Sequence, residues 1–335
     1  MKSIDVFCHL MPQKYAELAM QEAPNASHMF LRALKMRAMS DMEYRVEVLK
    51  RFPQYKQIPN IVSPPVESFA SPEKSPKIAA IGNEEIKAIT DKYPEYYEGF
   101  IAGIPFNNVS ASVDEIKRCK AMGAKGIQIY AHMNGEAIDQ EKFWPIYEIC
   151  EKLDLPVLIH PVGGQMIPEF PTEERSKYEL WFLIGWPYQT TIAMCRLAFS
   201  GIFEDFPNLK IITHHVGAMI PMLEGRIDNG LKMYGGRTAE SLREVLTKTK
   251  MKGKPLETFK KFYADTASFG SASAIRCGLD FFGKDHILFA SDMPFDPEKG
   301  PGYIDRTLKA IDSLELDDVT KAVILHGNAE RLFGL

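Results

Sequence analysis

The chain has no apolar run near the roughly 20 residues that cross a bilayer, so no membrane-spanning helix is expected. Its 5 cysteines include no C-x-x-C pair and are widely spaced. That excludes a zinc knuckle or a disulfide framework and points to reduced thiols of a cytoplasmic protein. No G-x-G-x-x-G follows the first strand and no Walker sequence occurs, which argues against a nucleotide-binding open sheet. Charge is nearly balanced, 40 basic against 44 acidic residues for a net −4. Nothing there attracts nucleic acid or an anionic membrane. Low-complexity tracts and internal repeats are also missing. The N-terminus, Met1-Lys-Ser-Ile-Asp5, runs into a strand without a signal-peptide pattern.

What is present is an alternation of short apolar runs with helical stretches over 335 residues. Eight runs read as strands: Ser3–Phe7, Gln57–Val62, Tyr97–Ile104, Gly126–Tyr130, Leu155–His160, Leu209–Thr213, Phe262–Asp265 and the segment Ile287-Leu-Phe-Ala-Ser-Asp292. Pro59 marks the second as a distorted or edge strand. Residues 13–51 are helical in composition, with further helices over 83–92, 110–122, 141–153, 190–203, 219–233, 271–282, 303–313 and 317–333. Gly334 stops the last. Eight parallel βα units predict a (β/α)8 TIM barrel, one domain over 1–335, with a small helical insertion between strands one and two.

Such barrels keep their chemistry at the C-terminal ends of the strands. Five of the 8 histidines fall there or just beyond: His9, His132, His160, His214 and His215. Asp265 and Asp292 end two more strands. His28, His286 and His326 lie off this rim and read as structural. Neutral imidazoles with carboxylates suit a divalent ion of the zinc or manganese type, three protein ligands leaving one position open.

These residues carry a resemblance. Ile4-Asp-Val-Phe7-Cys-His9 resembles the Asp-x-His-x-His first-strand signature of the amidohydrolase superfamily. Val157-Leu-Ile-His160-Pro161, Ile211-Ile-Thr-His214-His215-Val-Gly217 with Pro221 and Arg226, Leu288 to Phe295, and His326 to Leu335 resemble its later segments. Together they are similar to the branch containing the aminocarboxymuconate semialdehyde and dihydroxybenzoate decarboxylases. The resemblance implies one divalent metal ion on His9, His160 and Asp292, zinc first, with manganese or magnesium as alternatives. It implies that His215 is the catalytic acid/base and that His214 leaves the strand in another direction. Asp265 is expected to orient His215 or a substrate hydroxyl. Arg226 is expected to reach a substrate carboxylate across a homodimer interface. His132, His214, Phe295 and Trp186 are candidate substrate contacts, with Trp144, Phe170 and Trp181 as further aromatic walls near the rim.

Two departures shape the expected chemistry. Phe7 stands where the signature has its first histidine, and a phenyl ring cannot ligate a cation. Strand four ends Gln128-Ile-Tyr130, without the carboxylated lysine of binuclear hydrolases, so a one-metal reaction is expected. The resulting expectation is a metal-dependent, non-oxidative decarboxylase of a small aromatic or unsaturated carboxylic acid. A hydrolase or hydratase of the same fold is the alternative. Phe7 motivates a third reading, a non-catalytic or metal-free barrel that binds a small acid.

Overall fold

The strands are short because each contributes only a few residues to one buried sheet and then bends away to its helix. The structure, a computed structural model, describes residues 1–23, 28–61, 64–164 and 166–335. It is an α/β fold with a parallel sheet. Six strands pair in the order β12 (Ile287–Leu288), β11 (Tyr263–Asp265), β10 (Ile211–Thr213), β9 (Val157–His160), β6 (Gly126–Tyr130) and β5 (Ile101–Gly103). Two further parallel pairs join β1 (Ser3–Asp5) to β3 (Tyr55–Gln57) and β2 (His9–Leu10) to β4 (Asn60–Ile61). A small antiparallel hairpin pairs β7 (His132–Met133) with β8 (Glu136–Ala137).

Backbone hydrogen bonds also run between these groups. The Val6 N–H donates to Phe289 O at 3.1 Å, Asp292 N–H to Phe7 O at 2.9 Å and His9 N–H to Met293 O at 2.8 Å. On the other flank Ile101 N–H donates to Pro59 O at 2.9 Å, and Gln57 bridges Tyr97. Pro59 was expected to make its strand distorted or an edge; the distorted form occurs, since Pro59 separates β3 from β4 inside a segment paired on both sides, where its missing N–H breaks the strand in two. Val62, the expected end of that strand, lies outside the described residues.

Side-chain parity sets up the site. Ile4, Val6, Ile101, Leu158, Ile212, Leu288 and Ala290 belong to one fully buried apolar cluster drawn from several strands. Burying each of the larger aliphatic side chains contributes about 1.5–3 kcal/mol. Two residues beyond Leu158 is His160, two beyond Ile212 is His214, and two beyond Ala290 is Asp292. Alternation along a strand therefore puts those three polar groups on the same face, one layer higher.

The helical stretch expected over 13–51 is four helices, Gln13–Glu22, His28–Leu34, Arg37–Ser40 and Met42–Leu49, with residues 24–27 outside the described set. Asp41 divides the last two, its carboxylate accepting from Tyr44 N–H at 2.9 Å as an N-cap. The helix expected over 83–92 begins earlier, at Ser75. Two helices went unforeseen, Glu240–Leu246 and Pro255–Phe259. The C-terminal stretch is Asp318–Ala322 and Asn328–Phe333 around a π turn, and Gly334 ends it at φ 61°. Among the described residues no helix is long and apolar enough to cross a membrane.

Candidate active site at the strand ends

Phe7 is the centre of the constellation. Its ring lies 3.5 Å from that of His214, nearly parallel, and meets His9 edge-on at 4.5 Å. His160 and His215 approach the same ring at 5.4 and 5.8 Å between centroids. His9 and His160 are 5.4 Å apart, and Phe295 is 5.4 Å from His9. The structure thus gathers His9, His160, His214, His215 and Asp292 around the residue that replaced a histidine.

Each imidazole is held by its Nδ1. His9 Nδ1 faces Asn60 Oδ1 at 2.5 Å and His160 Nδ1 faces Pro161 O at 2.5 Å. Both partners only accept, so each ring carries a proton on Nδ1 and leaves Nε2 to face the cluster. His9 Nε2 in turn sits 2.9 Å from Asp292 Oδ1. Two lone-pair atoms at that distance call for a proton or a cation beside them. Burial, with the neighbouring imidazoles, holds His160 well below the usual histidine range. Imidazoles fixed by outer acceptors beside a carboxylate are the donor chemistry of a divalent site. Among the described residues, however, no group of three or more His, Cys, Asp or Glu is already arranged around one point. Phe7, whose ring offers no donor, stands among these histidines. Cys8 offers no substitute: its thiol is buried against Asp5 O and pushed well above its ordinary value by burial.

Asp265, expected to orient His215 or a substrate hydroxyl, pairs with His214. Its Oδ2 is 2.6 Å from His214 Nδ1, both groups being fully buried, while Oδ1 accepts from Ala267 N–H at 3.0 Å. Parity explains it, since His214 continues the inward face of β10. Burial lowers the His214 pKa, and its Nε2 is buried without a hydrogen-bond partner.

His215 leaves in another direction, as anticipated, through a turn that composition does not announce. His215, Val216, Gly217 and Ala218 all have positive φ, from 55° to 72°. Three of these are not glycine, and such geometry persists only where the surroundings enforce it. Here a side chain at Gly278 would come within 2.3 Å of Val216, so that glycine lets helix Ala272–Phe282 close over the turn. His215 Nδ1 then donates to Ala267 O at 2.8 Å. The half-buried ring lines a cavity of about 560 Å³ with Phe182, Trp186, Met222 and Phe269. Trp186 borders the central cluster too, its ring 6.1 Å from His160, and its indole N–H donates to Gly163 O.

Other expected contacts lie elsewhere. His132 closes its own hairpin, accepting from Gly135 N–H at 3.0 Å, and among the described residues no ring contact or hydrogen bond joins it to the cluster. Trp144 packs on Phe206 under the Lys250 ammonium, and Phe170 is exposed. Trp181 backs Trp186 at 5.6 Å. Arg226 is exposed on helix Glu224–Leu231, and Asp228, a possible local partner, pairs with Lys232. His286 and His326 make local bonds to Phe262 O and Glu330, as the structural reading anticipates.

Sequence reasoning missed a support network. Arg45, fully buried, donates to His9 O at 2.7 Å and to Gln57 Oε1 at 2.7 and 3.1 Å. Gln57 Nε2 donates to the Tyr55 hydroxyl, which donates to Asp5 Oδ2 at 2.5 Å. Ser291 also donates to Asp5. Strands β1 and β3 and the segment after β12 are locked together beneath His9 and Asp292. An arginine in a helical stretch carries no signal of this; Asp5, in the matched signature, was the available clue. Arg32, whose guanidinium stands 5.7 Å over Phe295, was likewise missed.

Residues 4–335 match the amidohydrolase family, and the chain belongs to it. Its relatives narrow the class. It is 29% identical over 300 residues to the 2-amino-3-carboxymuconate-6-semialdehyde decarboxylase of Dictyostelium discoideum, covering 88% of this chain and 77% of that one. It is 26% identical over 315 residues to the gamma-resorcylate decarboxylase of a Polaromonas species, covering 90% of each. Among solved structures, the 5-carboxyvanillate decarboxylase of Novosphingobium aromaticivorans has a TM-score of 0.83 at 21% identity, covering 100% of this chain and 96% of that one. That protein is complexed with manganese and 4-hydroxy-3-methoxy-5-nitrobenzoic acid.

Proposed function

We propose that this chain is a non-oxidative carboxy-lyase for a small aromatic or unsaturated carboxylic acid, working with one divalent metal ion. The observation that carries the reading is the position of His215. It lines an aromatic-walled cavity that adjoins the His9–His160–Asp292 donors through Trp186. The proton donor must touch the substrate, and His215 faces the cavity whereas His214 is fully buried. With Nδ1–H fixed on Ala267 O, Nε2 is the atom that exchanges a proton with the substrate. Trp186 and Phe269 flank a planar ring and exclude water from its faces. His215 protonates the carbon that bears the carboxylate, which breaks conjugation. The carbon–carbon bond then breaks, its electrons restore the π system, and CO2 leaves with a C–H in its place. His215 is reprotonated from solvent. A divalent ion on His9, His160 and Asp292 supplies Lewis-acid anchoring of a substrate oxygen when bound. Zinc, expected from the imidazole-rich set, and manganese, held by the 5-carboxyvanillate enzyme, are the ions to load.

The hydrogen bonds joining Phe7, Val6 and His9 to the 289–293 segment support a closed eight-stranded barrel in one domain. The helices between Gln13 and Leu49 are then an insertion after its first strand. Free, mostly buried thiols support a cytoplasmic setting. A homodimer is supported by exposed Phe170, Leu183, Ile184 and Met222, apolar surface that a second copy would cover. The carboxylate of the substrate would then meet the partner's Arg226.

The test is CO2 release from a panel of hydroxybenzoic and unsaturated dicarboxylic acids, using protein loaded with manganese or zinc. Release from at least one acid, lost in His215→Ala, supports the assignment. Addition of water to an unsaturated acid without CO2 would make the chain a hydratase.

A further inference from the structure

Away from the chemistry assigned above, a second polar site lies beneath Tyr130. Glu67, in the short 3-10 turn Val66–Ser68, is buried, and its Oε1 has no hydrogen-bond partner. Gln128 Oε1, on β6, is also buried and unpartnered. Both residues line one small cavity with Tyr15, Tyr130, Ile61 and Ile104. Gln128 uses its amide protons on Ile61 O at 3.2 Å and the Tyr130 hydroxyl at 3.0 Å, so only its oxygen remains to be satisfied. The Tyr130 hydroxyl accepts that bond, and no acceptor for its own proton is found among the described residues.

Buried polar atoms are rarely left unmade, and each such loss costs about 1–3 kcal/mol. The cavity measures about 20 Å³. One water needs roughly 10–15 Å³ and two to four polar partners. It would donate to Gln128 Oε1 and accept from Tyr130. Glu67 supplies the remaining partner, and its charge state follows from its neighbours. No lysine, arginine or histidine pairs with it among the described residues. The titratable groups facing it are Tyr15, from helix Gln13–Glu22, and Tyr130, both with phenols raised by burial and so uncharged. An isolated carboxylate there has lost its water and gained no cation, which favours the acid form.

We infer that this cavity is a built water site in which Glu67 is an un-ionised carboxylic acid donating its proton to a single bound water shared with Gln128 and Tyr130. Burial pushes the Glu67 carboxyl up to about 8, so the acid form persists at neutral pH. The site stores an exchangeable proton near the strand ends, since Tyr130 pairs in register with His160 and their rings are 5.2 Å apart. It also keeps a negative charge away from a mouth that, on the reading above, receives a carboxylate.

Infrared difference spectroscopy of the full chain tests this independently of any turnover. At pH 7 the wild type should show the carbonyl stretch of an un-ionised carboxyl that Glu67→Gln lacks, fading as pH rises through about 8. Tyr130→Phe, which keeps the packing, should shift that band by removing one partner of the water. A crystal structure should place one water in reach of Glu67 and Gln128. No un-ionised carboxyl assignable to Glu67 at pH 7, a band unmoved in Tyr130→Phe, or a dry cavity would overturn the inference.

Discussion

The ring of Phe7 lies face to face on that of His214, 3.5 Å between centroids and 15° between planes. On the proposed reading this contact occupies a ligand position, since position 7 is where the family signature carries its first histidine. It also fixes His214 over Asp265, so the replacement is packed into the site, not merely tolerated. On the proposed reading, an ion would have His9, His160 and Asp292 as its protein donors, without a fourth from position 7.

Restoring the missing donor is the corresponding experiment. Loss of even an outer-shell partner of a metal site costs roughly 10–100-fold in affinity, so Phe7→His is expected to tighten metal binding by at least ~10-fold. Competition titration with a chromophoric chelator reads this directly. Unchanged affinity would mean that position 7 does not face the ion.

The adjacent histidines should separate by phenotype. His215→Ala is expected to abolish turnover with metal content and melting temperature nearly unchanged. His214→Ala should retain measurable activity but destabilise the fold by roughly 3 kcal/mol, because it opens a cavity and strips buried Asp265 of its partner. Denaturant titration with elemental analysis of both variants distinguishes them. Loss of activity only in His214→Ala would move the proton carrier onto the buried dyad.

Arg226 should act on binding. If it meets a substrate carboxylate across a dimer, Arg226→Ala raises KM by ~10-fold, the worth of about 1.4 kcal/mol of lost charge-assisted bonding, and leaves metal in place. Mixing Arg226→Ala with His215→Ala subunits should regenerate activity, since one site in the mixed dimer is intact. A monomer by sedimentation, or no recovery under exchange conditions, rules out the shared site.

Asp5 gives a pH signature. Burial raises its carboxyl from 3.8 to about 6, against the opposing hydrogen bonds of Ser291, Tyr55 and Phe7. The folded chain therefore keeps this proton after the unfolded chain has released it. Its stabilisation is complete below pH 3.8 and disappears as pH rises through about 6. Asp5→Asn should flatten that fall, measured as denaturation midpoints of the two proteins between these limits. Parallel pH profiles would place Asp5 outside the window.

Much of this site was legible because its carriers obey simple rules. β6 and β9 end where expected, β9 as an apolar run closed by His160, and period-two alternation places His160 and His214 above Leu158 and Ile212. The partner of Asp265 was misread because the left-handed turn at 215–218 depends on Gly278, some 60 residues downstream in sequence. Pro59 announces a strand that is either distorted or at an edge, and only pairing with distant residues on both sides decides for the distorted one. Arg45 and Asn60 hold His9 through long-range contacts that residue type cannot announce. The unforeseen helix Glu240–Leu246 buries no side chain and so lacks the apolar stripe that marks a core-facing helix.

The central claim is that His215 delivers a proton to the carbon that loses CO2. Turnover in deuterium oxide, with product analysed by NMR and mass spectrometry, tests it most directly. The account predicts CO2 and product in equal amounts, with one deuterium at the former carboxyl position, and neither in His215→Ala. Product formed without CO2, or CO2 released undiminished by His215→Ala, would contradict it.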